Sequence, residues 1–209
     1  RYPDGGSDVT DLFLYSQMNI PINNLIDVFL GARWNGATLN AKFNESVVLL
    51  ENVENKNNSF VKSMVLSYQP TNVIKINFGY YNGFRNPNVD DIGKVFSKDG
   101  DNVVLPNSNL KPEYSNNFEL TIDYSSNKIR GSFQFFRTEI ENAIIREYGD
   151  VNGVDSILYD GEMMRIQLNQ NISSATINGF SVNSNLKFSR KISLETSTNY
   201  IVGVDNNNN

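Results

Sequence analysis

Strict alternation of apolar and polar side chains, sustained over long runs, constrains this sequence more than any other feature. The clearest run is Phe118-Glu119-Leu120-Thr121-Ile122-Asp123-Tyr124, apolar at even positions and polar at odd ones. Only a β-strand places neighbours on opposite faces, so each such run predicts a strand with one greasy and one wet face. The pattern returns in Ile74, Ile76, Phe78 and Tyr80 against Lys75, Asn77 and Gly79, in Val182 to Phe188, and in Ile192 to Val202. Weaker cases run through Ile26 to Trp34 and Met64 to Tyr68, and strands are also expected at Leu12–Ile20, Ile129–Thr138 and Met163–Asn169. Helical spacing is sustained nowhere, and no fixed-period repeat points to a propeller or solenoid.

The connections are of two kinds. Pro21-Ile22-Asn23-Asn24, Gln69-Pro70-Thr71-Asn72, Ser125-Ser126-Asn127 and Ser189-Arg190-Lys191 read as tight turns. Long connections are expected at about 35–59, 85–113 and 146–161. Short and long connections alternate, as they do in transmembrane barrels. A barrel and a soluble β-sandwich share the alternating pattern and differ in what the apolar face meets. Two features favour the barrel. The run from Asn72 to Phe84 exceeds the usual strand of about 5–6 residues. The aromatics Tyr68, Tyr80, Tyr81, Phe84, Tyr124, Trp34 and Tyr200 gather near strand ends, where interfacial girdles sit. The longest apolar runs, such as Val47 to Leu50, are far short of the roughly 20 residues a spanning helix needs. With 18 Lys and Arg against 23 Asp and Glu, no clustered basic surface for nucleic acid is expected. Both ends, Arg1 to Gly6 and Asn206 to Asn209, read as loops, so residues 1–209 are expected to be a fragment of a longer chain.

Two boxes flank the central long connection: Phe84-Arg85-Asn86-Pro87-Asn88, and Asn107-Ser108-Asn109-Leu110-Lys111-Pro112-Glu113. They resemble the FRAPN and NPDLKPE boxes of TonB-dependent outer-membrane receptors. Further stretches resemble that family in order: Arg1 to Ser7, Leu30-Gly31-Ala32-Arg33-Trp34, Asn88 to Phe96, and Asn171 to Phe180. The resemblance implies an all-β, antiparallel transmembrane β-barrel of 22 strands, about ten of them here. It implies a bacterial outer-membrane location and contact with outer-membrane lipid. It further implies coupling to the TonB–ExbB–ExbD complex through a plug domain outside this chain, and uptake of a small-molecule or metal-chelate ligand. Siderophore, haem, cobalamin, glycan and peptide all remain open as cargo. A soluble β-sandwich binding module and a simple diffusion porin are the alternatives.

The candidate site residues are Phe84, Arg85, Asn86, Pro87, Asn88, Asn107, Leu110, Lys111, Pro112 and Glu113, either anchoring the loop or touching ligand. Pro87 and Pro112 lack an N–H and suit a strand exit and a strand entry. Arg85 is placed to bridge to a carboxylate such as Glu113. Members that take up haem use a histidine between the boxes. This chain has no histidine and no cysteine, so that role does not carry over. The usual catalytic triads and zinc sites are equally out of reach. No catalytic residue, metal ligand or cofactor is expected. Asp90-Asp91 and Glu139/Glu141 read as solvated charge. Asp99-Gly100-Asp101 lacks the glutamate of a calcium loop, because position 110 is Leu110. Asn44-Glu45-Ser46, Asn57-Asn58-Ser59 and Asn171-Ile172-Ser173 match glycosylation sequons by coincidence. In the barrel reading, Lys75, Asn77, Glu119, Thr121 and Asp123 face the lumen and the even apolar set faces lipid.

Overall fold

The computed structural model describes residues 3–43, 52–97 and 100–206. The alternating runs become the staves of one curled sheet, a half-barrel. Four strands open it: β1 (Ser7–Asn23), β2 (Ile26–Ala41), β3 (Val53–Tyr68) and β4 (Ile74–Arg85). A one-turn helix α1 (Val89–Ile92) and two short strands, β5 (Phe96–Ser97) and β6 (Asn102–Leu105), occupy the central connection. The wall resumes with β7 (Glu113–Ser125) and β8 (Ile129–Tyr148). A short β9 (Ser156–Tyr159) precedes β10 (Glu162–Lys187) and β11 (Ser193–Asp205). The order across the sheet is β1-β2-β3-β4-β7-β8-β10, with β11 on the free edge of β10. Every pairing is antiparallel except that of β6 with β10. Among the described residues the strands form one sheet with no second sheet packed on it, against the sandwich alternative.

The register shows why these residues form a wall. Across the sheet, Leu30 meets Met64, Leu66 meets Phe78, Phe78 meets Leu120, and Leu120 meets Phe135, which in turn meets Phe180. All of these lie on one face, so the apolar residues at even positions of β2, β3, β4, β7 and β10 and at odd positions of β8 form a continuous outer band. Phe78 and Phe135 are about half exposed on it. The opposite face carries Lys75 against Asp123, Asn77 against Thr121, and Thr121 against Gln134. On β7 and β8 the outward positions turn polar above Phe118. Tyr80 Oη donates to Asn116 Oδ1 at 2.9 Å, and Arg137 pairs with Glu139 at 2.8 Å. On β4, β7 and β8 the apolar band therefore ends at the level of Tyr80 and Phe118.

Three of the sequence expectations need correction. The connection expected at 35–59 is largely strand, because β2 runs on to Ala41 and β3 begins at Val53. The runs expected at Met163–Asn169 and Val182–Phe188 belong to one strand of 26 residues, β10, which continues past irregular pairing near Ser173. The other two long connections hold structure of their own: α1, β5 and β6 in one, β9 in the other. The eight long staves and three short strands agree with the expectation of about ten. Asn44 and Asp99 lie outside the described residues.

The buried core sits in the connections and not in the wall. One cluster joins Leu39, Ala41 and Val53 at the tops of β2 and β3 to Ile92 and Leu110 of the central connection. A second joins Val95, Val103 and Leu105 to Met164 and Ile166 of β10. Together they fold the connection into a compact cap at the mouth.

Candidate functional site

β4 and β7 pair up to Arg85 and Glu113, so the two boxes leave the wall side by side. The pair lies beyond the apolar band. Arg85 forks there: its Nε donates to Glu113 Oε2 and its Nη1 to Asp91 Oδ2 at 2.6 Å. The second Glu113 oxygen accepts the N–H of Ile144 at 2.7 Å. β7 has ended at this level while β8 runs on, so that N–H has lost its ladder partner and the carboxylate replaces it. Burial alone would raise the Glu113 carboxyl. The Arg85 hydrogen bond, the Ile144 N–H and the Arg85 charge outweigh it and hold the group below its ordinary value. The Glu113 hydrogen bond raises Arg85 well above its own, against partial burial and with help from Asp91.

Asp91 carries the ion pair into α1. Asn88 caps the helix, its Oδ1 accepting from Asp90 N at 2.8 Å and from Asp91 N at 3.0 Å. Asp91 Oδ2 accepts the Asn88 N–H in return, completing a capping box. One carboxylate thus closes the helix and grips Arg85. Asn86 turns the other way: its amide donates to Asn35 Oδ1 of β2 at 2.8 Å, and it accepts from Ser59 of β3 at 3.4 Å. Pro87 and Pro112 are buried beside the clasp. Phe84 sits 5.8 Å from the Arg33 guanidinium.

The second box is held by amides. Asn55 Nδ2 donates to the carbonyls of Ser108 and Leu110, both at 2.8 Å, and Asn57 adds a bond to Leu110 at 3.3 Å. Asn171 grips Lys111 from both sides, accepting its N–H and donating to its carbonyl at 2.8 Å each. Asn107 donates to the Asn169 carbonyl, and Asn169 to that of Asp91, each at 2.8 Å. A neutral amide carries two donors and an acceptor, so it can satisfy loop backbone without burying a charge. The Asn57 and Asn171 amides of the two described sequons are thereby engaged. Leu110 is 2 % exposed and packs in the first core cluster, which makes it an anchor and not a contact for ligand.

The structure therefore gathers all ten sequence-predicted residues around one connection. It adds Asn35, Asn55, Ser59 and Asn169, which the sequence reading passed over, and it gives holding roles to Asn57 and Asn171, read as sequon asparagines. Asp91, expected to be solvated charge, is instead engaged by Arg85 and the Asn88 N–H. For the asparagines the only signal was their recurrence at alternate positions of strands, where the residue is ordinarily scarce.

Comparison with known proteins decides the family. A family model described as TonB dependent receptor-like, beta-barrel, matches residues 1–209. The chain belongs to this family. Among curated relatives, a probable hemoglobin and hemoglobin-haptoglobin-binding protein 4 from Haemophilus influenzae is 29% identical over 127 residues, covering 59% of this chain. The chain spans 13% of that relative's length. Among solved structures, the FrpB iron transporter from Neisseria meningitidis superposes with a TM-score of 0.70 at 12% identity, over 95% of this chain and 26% of that one. The siderophore receptor PirA from Acinetobacter baumannii gives 0.66 at 16% identity, over 94% and 37%. At these identities the structures speak for the fold alone. The half-barrel is thus part of the transmembrane wall of a TonB-dependent receptor.

Proposed function

We propose that this chain is part of an outer-membrane receptor that takes up a scarce nutrient, of the iron-siderophore or haem class, with energy supplied through TonB. The observation that carries the reading is the clasped loop: two boxes of a TonB-dependent receptor wall, joined by Arg85, hold a compact cap over the mouth. The outer band of Phe78, Leu120, Phe135 and Phe180 faces the acyl chains of outer-membrane lipid. The inner face of Lys75, Asn77, Glu119, Thr121 and Asp123 faces water and a plug domain outside this chain. Through that plug the TonB–ExbB–ExbD complex does its work. No bond is made or broken; cargo is bound by loops and released inward when the plug rearranges. The hemoglobin-binding relatives and the iron and siderophore receptors of like fold support an iron-bearing cargo. Arg85, Asn86 and Glu113 serve as loop anchors, because their polar groups are engaged within the protein. With no histidine in the chain, any imidazole bond to haem iron comes from elsewhere in the receptor.

The test is transport. Cells lacking the full-length receptor are starved of iron and given haemin, haemoglobin or ferric chelates, with uptake of radioactive iron as the readout. Deletion of the gene, and collapse of the proton gradient, should each abolish uptake of at least one source. Unchanged uptake of every source after deletion overturns the proposal.

A further inference from the structure

Cations stacked on aromatic rings form a row beside the clasp. Beyond Asn142, β8 and β10 continue as a pair in which Arg146 faces Asn169 and Tyr148 faces Gln167. By register these residues share a face with Asn169 and Asn171, the amides that hold the box loop. On that face the Arg165 guanidinium lies 3.9 Å from the centre of the Tyr148 ring, and Arg146 lies 4.7 Å from that of Phe96. Lys94 approaches the same Phe96 ring at 5.3 Å, with its Nζ 3.8 Å from Asp90. Neither guanidinium has a carboxylate partner among the described residues, in a chain with 23 acidic side chains. Both arginines are exposed.

A guanidinium lying on an aromatic face keeps its N–H edge available to fork onto an oxyanion. The ring also fixes the long side chain in advance, which lowers the entropy lost on binding. The two arginines stand four residues apart along β10, counting from the Asn169 position opposite Arg146, or about 13 Å. That spacing suits a cargo with several ionised oxygens. The neighbouring cleft of about 800 Å³ is lined by Asn52, Glu54, Asn107, Asn109, Asp150 and Asn152 among others, with no cation in its described lining.

We propose that Arg146 and Arg165 form an anion-recognition row at the mouth that selects a multivalent oxyanionic cargo, such as a metal chelate built from phenolates or carboxylates. The proposal rests on the uptake reading and names its cargo class. The full-length receptor in detergent is given a panel by equilibrium dialysis: an anionic ferric tricatecholate, a ferric tricarboxylate, haemin, and a cationic ferric trihydroxamate. At least one anionic probe should bind in preference to the cationic one. The R146Q/R165Q double variant should hold that probe about ten- to hundredfold more weakly. Added salt should weaken native binding more than that of the variant. Heat-modifiable mobility on gels checks folding; if that variant fails it, R146K/R165K, which keeps charge but not the fork, is read for a smaller loss. Equal affinity in receptor and variant, or preference for the cationic probe, overturns the proposal. So does a variant that loses bound lipopolysaccharide but keeps the probes, since the row would then serve lipid phosphate. If no probe binds while energised iron uptake persists in cells, the row fails and the uptake reading stands. If no iron source is taken up, the uptake reading itself fails.

Discussion

Arg85 ties two strands and a helix cap with a single side chain, and that concentration makes it testable. Arg85→Gln should leave Glu113 and Asp91 short of their shared partner. For a pair that is partly exposed, the cost is about 1 kcal/mol of loop anchoring. Limited proteolysis between Asn86 and Glu113 should then speed up about fivefold while the barrel's melting temperature holds; unchanged cleavage would show the fork to be ornamental. The same contact predicts a pH response. Glu113 titrates lower in the folded state than its ordinary value of 4.5, so its contribution is present above that value and is lost as pH falls below it. Loop protection should decline as pH falls below about 4.5 in the native protein and stay flat in Glu113→Gln. An equal decline in both would assign the effect to other groups. The pairing of Arg85 with Glu113 was legible because the boxes stand out as motifs. The amide clasps of Asn55, Asn57, Asn169 and Asn171 were not. Asparagine reads as a turn residue, and a bond from its side chain to a distant carbonyl has no fixed spacing in sequence.

A strand is readable from its sequence only where its two faces meet different media. In β4 and β7 the outer band and the wet inner face differ sharply, and alternation revealed both strands almost to their ends. At the top of β2 the pattern inverts: Leu39 and Ala41 turn inward onto Ile92 and Leu110, while Thr38 and Asn40 alternate with them. The eye looking for an apolar outer face lost the strand there and filled the gap with loop. The wall itself gives a sharp contrast between adjacent residues. Leu120→Arg places a charge among Phe78 and Phe135 on the outer band and should cost about 2–4 kcal/mol. Thr121→Arg points to the wet face beside Asn77 and Gln134 and should cost far less. Denaturant unfolding of the refolded full-length barrel ranks the two, and the reverse order would refute the facing. Glycines under rings give a second contrast. A Cβ at Gly179 would stand 2.6 Å from the Tyr200 carbonyl oxygen of the neighbouring strand, whereas at Gly79 it meets only the Tyr81 ring, at 2.5 Å. A ring can swing and a backbone cannot. Gly179→Ala should therefore cost about 1–3 kcal/mol and Gly79→Ala less, by the same measurement.

At the scale of the molecule the wall does not stay closed to its top. Among the described residues β3 meets β4 only from Ser63 to Tyr68, while its pairing with β2 continues up to Val53. β4 meanwhile keeps β7 as far as Arg85. The sheet thus parts above Ser63. Unpaired strand edges are tolerated only outside the hydrocarbon layer, and this one opens at the level of Tyr81, where Lys62 and Asn82 take the positions next above Met64 and Tyr80. The gap is spanned from within. Asn86 reaches across it to Ser59 and Asn35, and Asn55 and Asn57 hold the returning box. The loop therefore serves as a side-chain seam in place of a backbone ladder, and a seam of that kind opens locally before the ladder does. Hydrogen exchange on the full-length receptor should show the amides of Val53 to Lys62 that point toward β4 exchanging faster than those of Ser63 to Tyr68. Asn86→Ala should speed the first group about tenfold further and leave β7, β8 and the lower half of β10 unchanged. Uniform protection along β3 in both proteins would mean that the wall is closed there by something other than the boxes.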